Sequence, residues 1–326
     1  MTELPKERRT AYWDNAKGIL IVLVVLGHYL HAYQADFEVS FLVSMIYTFH
    51  MPAFVLISGY FSRGEKASSV RAIARLTAAY LIFNTLMMLY TLAAEGGPLT
   101  LTQPYNSYWY LLALIIWRLT VKYVSKIRGI MAVSIIVALL IGFSGEITNE
   151  FALARVICFY PFFLAGYKLT QEKAAAFIEH RTSADSVKGI LLLVVSMGLA
   201  AGFILLFRPP IAVFQMEAYS SAEFLLYRLI VFVLASMILA GLSQVIPSKP
   251  VALLSGWGQN SLAIYVLHRP VSLLFVTFFP EEGVSTLYFL WAVLASAATL
   301  LVFGLAPVTR VLNLVLNRVV DFVCDR

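Results

Sequence analysis

Asp14-Asn15-Ala16-Lys17-Gly18 runs into Ile19-Leu20-Ile21-Val22-Leu23-Val24-Val25-Leu26 and then Gly27-His28-Tyr29-Leu30-His31. The stretch Ile19 to Leu26 holds no polar residue and reads as the middle of a membrane-spanning helix. Lys17 and His28 are eleven residues apart, close to three helical turns, so they share a face. At ~1.5 Å per residue His28 stands roughly 16 Å beyond Lys17, about half a hydrocarbon core. Asp14 lies one turn below Lys17 on that face. An ionisable side chain at such depth is costly and marks a functional site by default.

The rest of the chain repeats the pattern. Of 326 residues, 60% are hydrophobic and 13% charged, and the mean hydropathy is +0.83. Soluble chains stand nearer about half apolar and a quarter charged. The apolar runs predict about ten spans, at 17–34, 41–61, 72–93, 107–124, 128–143, 151–169, 188–207, 222–245, 251–278 and 286–306. Residues 308–326 alternate apolar side chains with Arg310, Arg318 and Asp321, as an interfacial amphipathic tail does. The polar intervals around 62–70 and 170–187 are too short to fold alone. The expected fold is all-α: one polytopic membrane domain over 1–326.

Loop charges orient it. With the N-terminus inside, the even-numbered connections carry Arg63, Lys66, Arg71, Lys126, Arg128, Lys168, Lys173, Arg181, Lys188 and Lys249. The odd-numbered ones carry Asp36, Glu38, Glu95, Glu146, Glu150, Glu217, Glu281 and Glu282, with Arg208 as their clear basic residue. That asymmetry puts both termini in the cytoplasm. It also accounts for the net charge of +6 without nucleic acid as a partner. Membrane lipids are the expected surroundings. Cys158 and Cys324 form no disulfide or metal pattern, and no small-residue cleavage site marks a signal peptide.

Several residues are too polar for their depth. His50, in Phe49-His50-Met51-Pro52, falls near mid-span, where Pro52 bends the helix. Either it bonds a neighbouring helix or it lies near His28. Arg71 and Arg75, one turn apart, are either headgroup anchors or a clamp for a phosphorylated cytoplasmic ligand. Arg155, Arg228 and Arg269 lie within or at the edge of spans and should point inward, with Glu150 and Glu223 as the nearest acidic candidates. Structural ion pairs compete with function for each; for His268-Arg269 together function leads. His28 and His31 share a face, yet no cysteine or carboxylate accompanies them, so no metal is expected. Nucleotide-loop and Gly-x-Ser-x-Gly patterns are absent.

Tyr12 to Gly18 continuing through Val24-Val25-Leu26-Gly27-His28 resembles the opening of the acyltransferase-3 family of integral membrane acyltransferases, and most the branch described as fucose 4-O-acetylase-like. Phe49-His50-Met51-Pro52-Ala53-Phe54 with Ser58-Gly59-Tyr60 is similar to that family's second-span motif. Tyr108-Trp109-Tyr110-Leu111, Phe162 to Tyr167 and Asn260-Ser261-Leu262 to His268 resemble later signatures in the expected order. The resemblance implies transfer of an acyl group, usually acetyl, from acyl-CoA to a sugar hydroxyl of a cell-surface glycan or its lipid-linked precursor. It also implies a bacterial cytoplasmic membrane. Where the family pattern has an arginine this chain has Lys17, which keeps the charge and loses the bidentate fork.

A sugar hydroxyl needs a base to accept its proton as it attacks a thioester, and imidazole suits that role. His28 is the expected base, or carries the acyl group transiently. Asp14 and Lys17 stand beneath it, and His50 is a further catalytic candidate. Lys17, Arg63, Arg71 and Arg75 are expected to hold acetyl-CoA, and His268, Arg269, Arg155 and Arg228 the acceptor. The rival reading is a transporter or flippase for a lipid-linked or sugar substrate, which buried ionisable residues fit as well.

Overall fold

The computed structural model describes residues 6–31, 36–96, 102–145, 150–278 and 285–324, and among them every long element is a helix. The first three are α1 (Lys6–His31), α2 (Phe37–Phe61) and α3 (Val70–Glu95). Then come α4 (Trp109–Val124), α5 (Ile130–Leu140), α6 (Leu153–Lys168), α7 (Gln171–His180) and α8 (Ser183–Phe207). A single turn, α9 (Ile211–Phe214), precedes α10 (Phe224–Val245), α11 (Leu254–Gln259) and α12 (Ser261–Phe278). The chain closes with α13 (Ser285–Phe303) and α14 (Ala306–Cys324). Residues 32–34 of the first expected span lie outside the described residues, as do the loop charges Glu146, Glu281 and Glu282 and residues 325–326 of the expected tail.

Six of these helices are long and apolar enough to cross a membrane, or seven if α13 and α14 count as one bent span. The protein is therefore an integral membrane protein. α8 makes the case alone, exposing Ile190, Leu191, Val194, Val195 and Leu199, a face that water would not tolerate. The number falls short of ten for identifiable reasons. α4 has 16 residues and α5 only 11, so at ~1.5 Å per residue neither reaches across a ~30 Å core by itself, whereas the turn from Glu150 extends α6 to a 19-residue span ending at Lys168. α1 is long enough, but Asp14, Lys17, His28 and His31 dilute its apolar run. α13 counts only together with α14, from which it is bent by 65°. The expected span 251–278 still contributes α12, but it is broken at Asn260, between α11 and α12.

Two compact units emerge from the packing: Met1–Phe54 with Leu169–Phe214 and Tyr227–Thr309, and Val55–Lys168 with Gln215–Leu226 and Arg310–Arg326. In the first, α1 packs on α11, α12 and α13. Asn15, fully buried, donates both amide protons, to the carbonyls of Pro247 and Lys249 at 2.8 Å each. Its oxygen accepts from Ser255 Oγ at 2.6 Å. The helices meet backbone to backbone: a Cβ on Gly18 would overlap the Leu254 carbonyl, and one on Gly258 the Asp14 carbonyl. Higher up, Tyr29 and Thr299 share a buried hydroxyl–hydroxyl bond of 2.8 Å, tying α1 to α13.

The second unit uses the same device. A Cβ on Gly59 would overlap the Phe163 carbonyl, and one on Gly166 the Leu56 carbonyl, so α2 and α6 pack through small residues. Ser58 and Tyr110 are bonded at 2.5 Å, and Arg118 Nε donates to Ser62 Oγ at 3.1 Å. α14 buries Leu312, Leu316 and Val320, spaced four apart, and exposes Val311, Val315, Phe322 and Val323.

Gly258→Ala is expected to destabilise the protein by about 1–3 kcal/mol, because the added methyl meets backbone that cannot rotate away. Gly256→Ala, in the same helix with nothing within 4 Å, is the control and should be near neutral. Thermal unfolding of the two variants in detergent compares them directly.

Candidate functional site

The polar residues of the first unit gather around α1. His28 is partly buried, and its ring centroid lies 5.2 Å from that of His268 on α12, the planes tilted by 35°. Tyr47 of α2 stands among the other imidazoles. Its ring is 6.4 Å from His28, 5.7 Å from His31 and 4.9 Å from His50. Gly27 lets α2 come close here, since a Cβ would already lie 3.0 Å from the Tyr47 ring. His31, His50, His268 and Arg269 all act electrostatically on His28.

Backbone carbonyls set the proton positions. His50 Nδ1 is 2.8 Å from the Ile46 carbonyl. His268 Nδ1 is 2.6 Å from the Tyr265 carbonyl, with Ile264 further off at 3.3 Å. A carbonyl can only accept, so in each ring Nδ1 carries hydrogen and Nε2 is left with its lone pair when the ring is neutral. His268 Nε2 and His28 Nδ1 are buried and have no hydrogen-bond partner among the described residues. Two such atoms on neighbouring rings are an exception to the rule that buried polar groups are paired, and they mark where a hydroxyl or a water would be received.

Lower on α1, Lys17 Nζ lies 2.9 Å from Asp14 Oδ1, and Gln259 donates to the other Asp14 oxygen at 3.1 Å. Asp14 and Lys17 thus belong to the junction with α11 as well as to the face below His28. On α12, Arg269 places Nη1 3.4 Å from Ser272 Oγ. Arg228 on α10 is fully buried.

The remaining basic candidates belong to the second unit, each with a local partner. Arg63 donates to the Tyr167 carbonyl at 2.5 Å and lies over the Tyr167 ring. Arg71 pairs with Asp321, and Arg75 donates to Asn313, both on α14. Arg155 differs from expectation: its acidic partner is Glu217 at 3.3 Å, not Glu150 or Glu223. Its Nε donates to the Gln215 carbonyl at 3.1 Å, and its guanidinium sits 5.7 Å over the Trp109 ring. Glu150 instead accepts from Gln103 at 3.2 Å.

Sequence reasoning missed three features: Tyr47, Asn15 and Arg118. Tyr47 had a visible signal, three residues before His50 on the same face. Arg118 follows Trp117 within an apolar helix and was as legible as Arg155. Asn15 had no local signal, because its partners lie more than two hundred residues away.

With this geometry in hand, the chain can be set beside known proteins. A family model described as "Acyltransferase domain" matches residues 10–306. The nodulation protein NolL of Sinorhizobium fredii is 31% identical over 199 residues, 53% of this chain and 53% of that protein. NolL of Mesorhizobium japonicum is 50% identical over 60 residues, 17% of this chain and 16% of that one. The chain thus spans about half the length of the first of these relatives and a much smaller part of the second. No solved structure matches.

The chain has 5 histidines, few enough to resolve one by one in side-chain 15N spectra of the labelled protein. His50 and His268 are expected as Nδ1–H tautomers, each keeping its bond to a carbonyl of its own helix. An Nε2–H tautomer for either would contradict this assignment.

Proposed function

The chain belongs to the acyltransferase-3 family, and from that premise we propose that it is a membrane O-acyltransferase moving an acyl group, acetyl first among them, from acyl-CoA to a sugar hydroxyl. The acceptor would be a cell-surface glycan or its lipid-linked precursor, as in the fucose 4-O-acetylase-like branch, and the site of action a bacterial cytoplasmic membrane. The observation that carries the reading is the pair of buried, unpartnered ring nitrogens, His28 Nδ1 and His268 Nε2, on rings 5.2 Å apart. A hydroxyl can donate to one such nitrogen while its oxygen attacks. A transporter gives that pair no comparable task.

In the proposed step the sugar oxygen forms a bond to the thioester carbonyl carbon as its proton passes to His28 Nδ1. The tetrahedral oxyanion is stabilised by the Arg269 guanidinium, which acts electrostatically on the same imidazole. Collapse breaks the carbon–sulfur bond, and the proton on His28 leaves with the CoA thiol. His268, held by its Nδ1–H bond, presents Nε2 as a second acceptor that orients the hydroxyl. In the covalent variant, His28 Nδ1 itself attacks the thioester, the carbon–sulfur bond breaks and CoA leaves as the thiol with the proton from the other ring nitrogen; the hydroxyl oxygen then takes the acyl group as the bond to Nδ1 breaks, and its proton returns to the imidazole. His50, anchored to Ile46, flanks this group through Tyr47.

Arg63, Arg71 and Arg75 are proposed to meet the phosphates of the donor. In Arg71 the fork already holds a carboxylate, Asp321, half-exposed to solvent. Exposed pairs of this kind contribute only ~0.2–1 kcal/mol, so a phosphate can displace one at small cost. Lys17, beside Asp14, would add a point charge on its own helix. Arg155 and Arg228 are assigned to the acceptor. Ten spans with both termini cytoplasmic is the topology that the loop charges favour.

His28→Ala should lower acetyl transfer by about 10²–10⁴-fold while CoA binding persists, measured by turnover and by calorimetry on the same preparation. Full turnover in that variant rules the mechanism out. Asp321→Asn should tighten acyl-CoA binding up to about five-fold, the reciprocal of a pair worth ~0.2–1 kcal/mol, whereas Arg71→Ala should weaken it. An acetylated His28 trapped with acetyl-CoA alone would select the covalent route.

A further inference from the structure

The second unit contains a cavity of about 330 Å³, toward the small end of the ~300–1,000 Å³ range of ligand pockets. Gln103, Ala152, Arg155, Met216, Glu217 and Ala218 line it, among others. Three features mark it out. Its wall carries an ion pair, Arg155 with Glu217, that is partly open to solvent. Its rim carries a second polar pair, Gln103 with Glu150. Its backbone is strained: Phe151, Ala152 and Met216 hold φ of 52°, 51° and 59°, the left-handed region that side chains avoid. Such strain persists only where the surroundings enforce it, and it gathers at binding sites. Here Phe151 is held by a 2.6 Å bond from its N–H to the Thr102 carbonyl, and Met216 is completely buried.

The charges say what fits. Arg155 and Glu217 cancel on the wall, and the Glu150 carboxylate at the rim is engaged by the Gln103 amide, so an anion is repelled and no unpartnered cation is offered to it. An anion would meet the Glu217 carboxylate beside the cation, and a cation would meet the guanidinium. A neutral ligand with several hydroxyls suits it, since each hydroxyl can accept from the guanidinium or the Gln103 amide and donate to a carboxylate. The structure assigns this cavity as a binding site for a neutral, polyhydroxylated ligand, a sugar residue of the acceptor, with Arg155, Glu217 and Gln103 as its polar contacts. The word acceptor rests on the functional reading above; the ligand chemistry does not.

Saturation-transfer NMR on the full-length protein in detergent, with glucose, galactose, mannose, fucose and glucuronate as probes, tests it. One or more of the neutral sugars should bind, and glucuronate at least ten-fold more weakly. Ala218→Phe, which fills the cavity, should cut the neutral-sugar signal at least ten-fold. Glu217→Gln removes charge with little change in shape, so it should narrow the gap between glucuronate and the neutral sugars, and it guards against misfolding of the bulkier variant. No neutral-sugar binding to the wild type, or binding untouched in both variants, overturns the assignment. In acyl-transfer assays the same variants should raise the KM for the sugar with no matching rise for the acyl donor. Sugar binding lost in Ala218→Phe by a protein that transfers no acyl group would refute the functional reading and leave this site standing. Transfer with unchanged sugar KM in both variants would do the reverse.

Discussion

Inside a bilayer a polar atom without a partner has no water to fall back on, and that constraint shapes everything around α1. Asn15 shows the constraint met in full, with both amide hydrogens and the carbonyl oxygen bonded by three separate residues. Tyr29 meets it through Thr299, and His50 through the carbonyl one turn back. Because those groups are satisfied, α1 is fixed in height and rotation against α11 and α13. The atoms left over, on His28 and His268, then become informative. An orphan in a loosely packed helix means little; beside so many bonded neighbours it reads as a reserved position.

Much of this was legible in the sequence because membrane burial makes rare residues conspicuous. His28, His50 and His268 stood out as imidazoles in apolar runs, and the structure brings them within one cluster. The helices themselves followed from run length. What local pattern could not convey was pairing over long separations. Arg155 faces Glu217, more than sixty residues on, because the chain turns at Met216 through a backbone conformation that composition does not announce. The break between α11 and α12 was hidden for a similar reason. Leu253, at φ 62°, starts α11 in a conformation that a leucine seldom adopts, and Asn260 ends it by donating to the Gly304 carbonyl. Partners that close α14 onto Arg71 and Arg75 lie some two hundred and forty residues away, beyond any periodicity.

The arginines divide by what they touch. Arg63 and Arg181 lie over tyrosine rings and donate to carbonyls, which anchors helix ends through packing as much as charge. Arg155 does similar work with Trp109 and Gln215 yet also borders a cavity. A structural role and a binding role are not exclusive, since a guanidinium has five donors and a packing partner uses few of them.

Lys17 brings these strands together. Its position is held by the Asp14–Gln259 junction, where the Gly258 backbone touches α1. An arginine there would extend a planar fork past Asp14 and serve two oxygens at once. Lysine instead concentrates its charge at one point, 2.9 Å from the carboxylate, on a stem flexible enough to swing. The helix contact at this turn is made by Gln259 and by the Gly258 backbone against Asp14. Because the Gln259 bond and the glycine contact fix the turn through Asp14, the face that carries Lys17 is held in register with His28 three turns above.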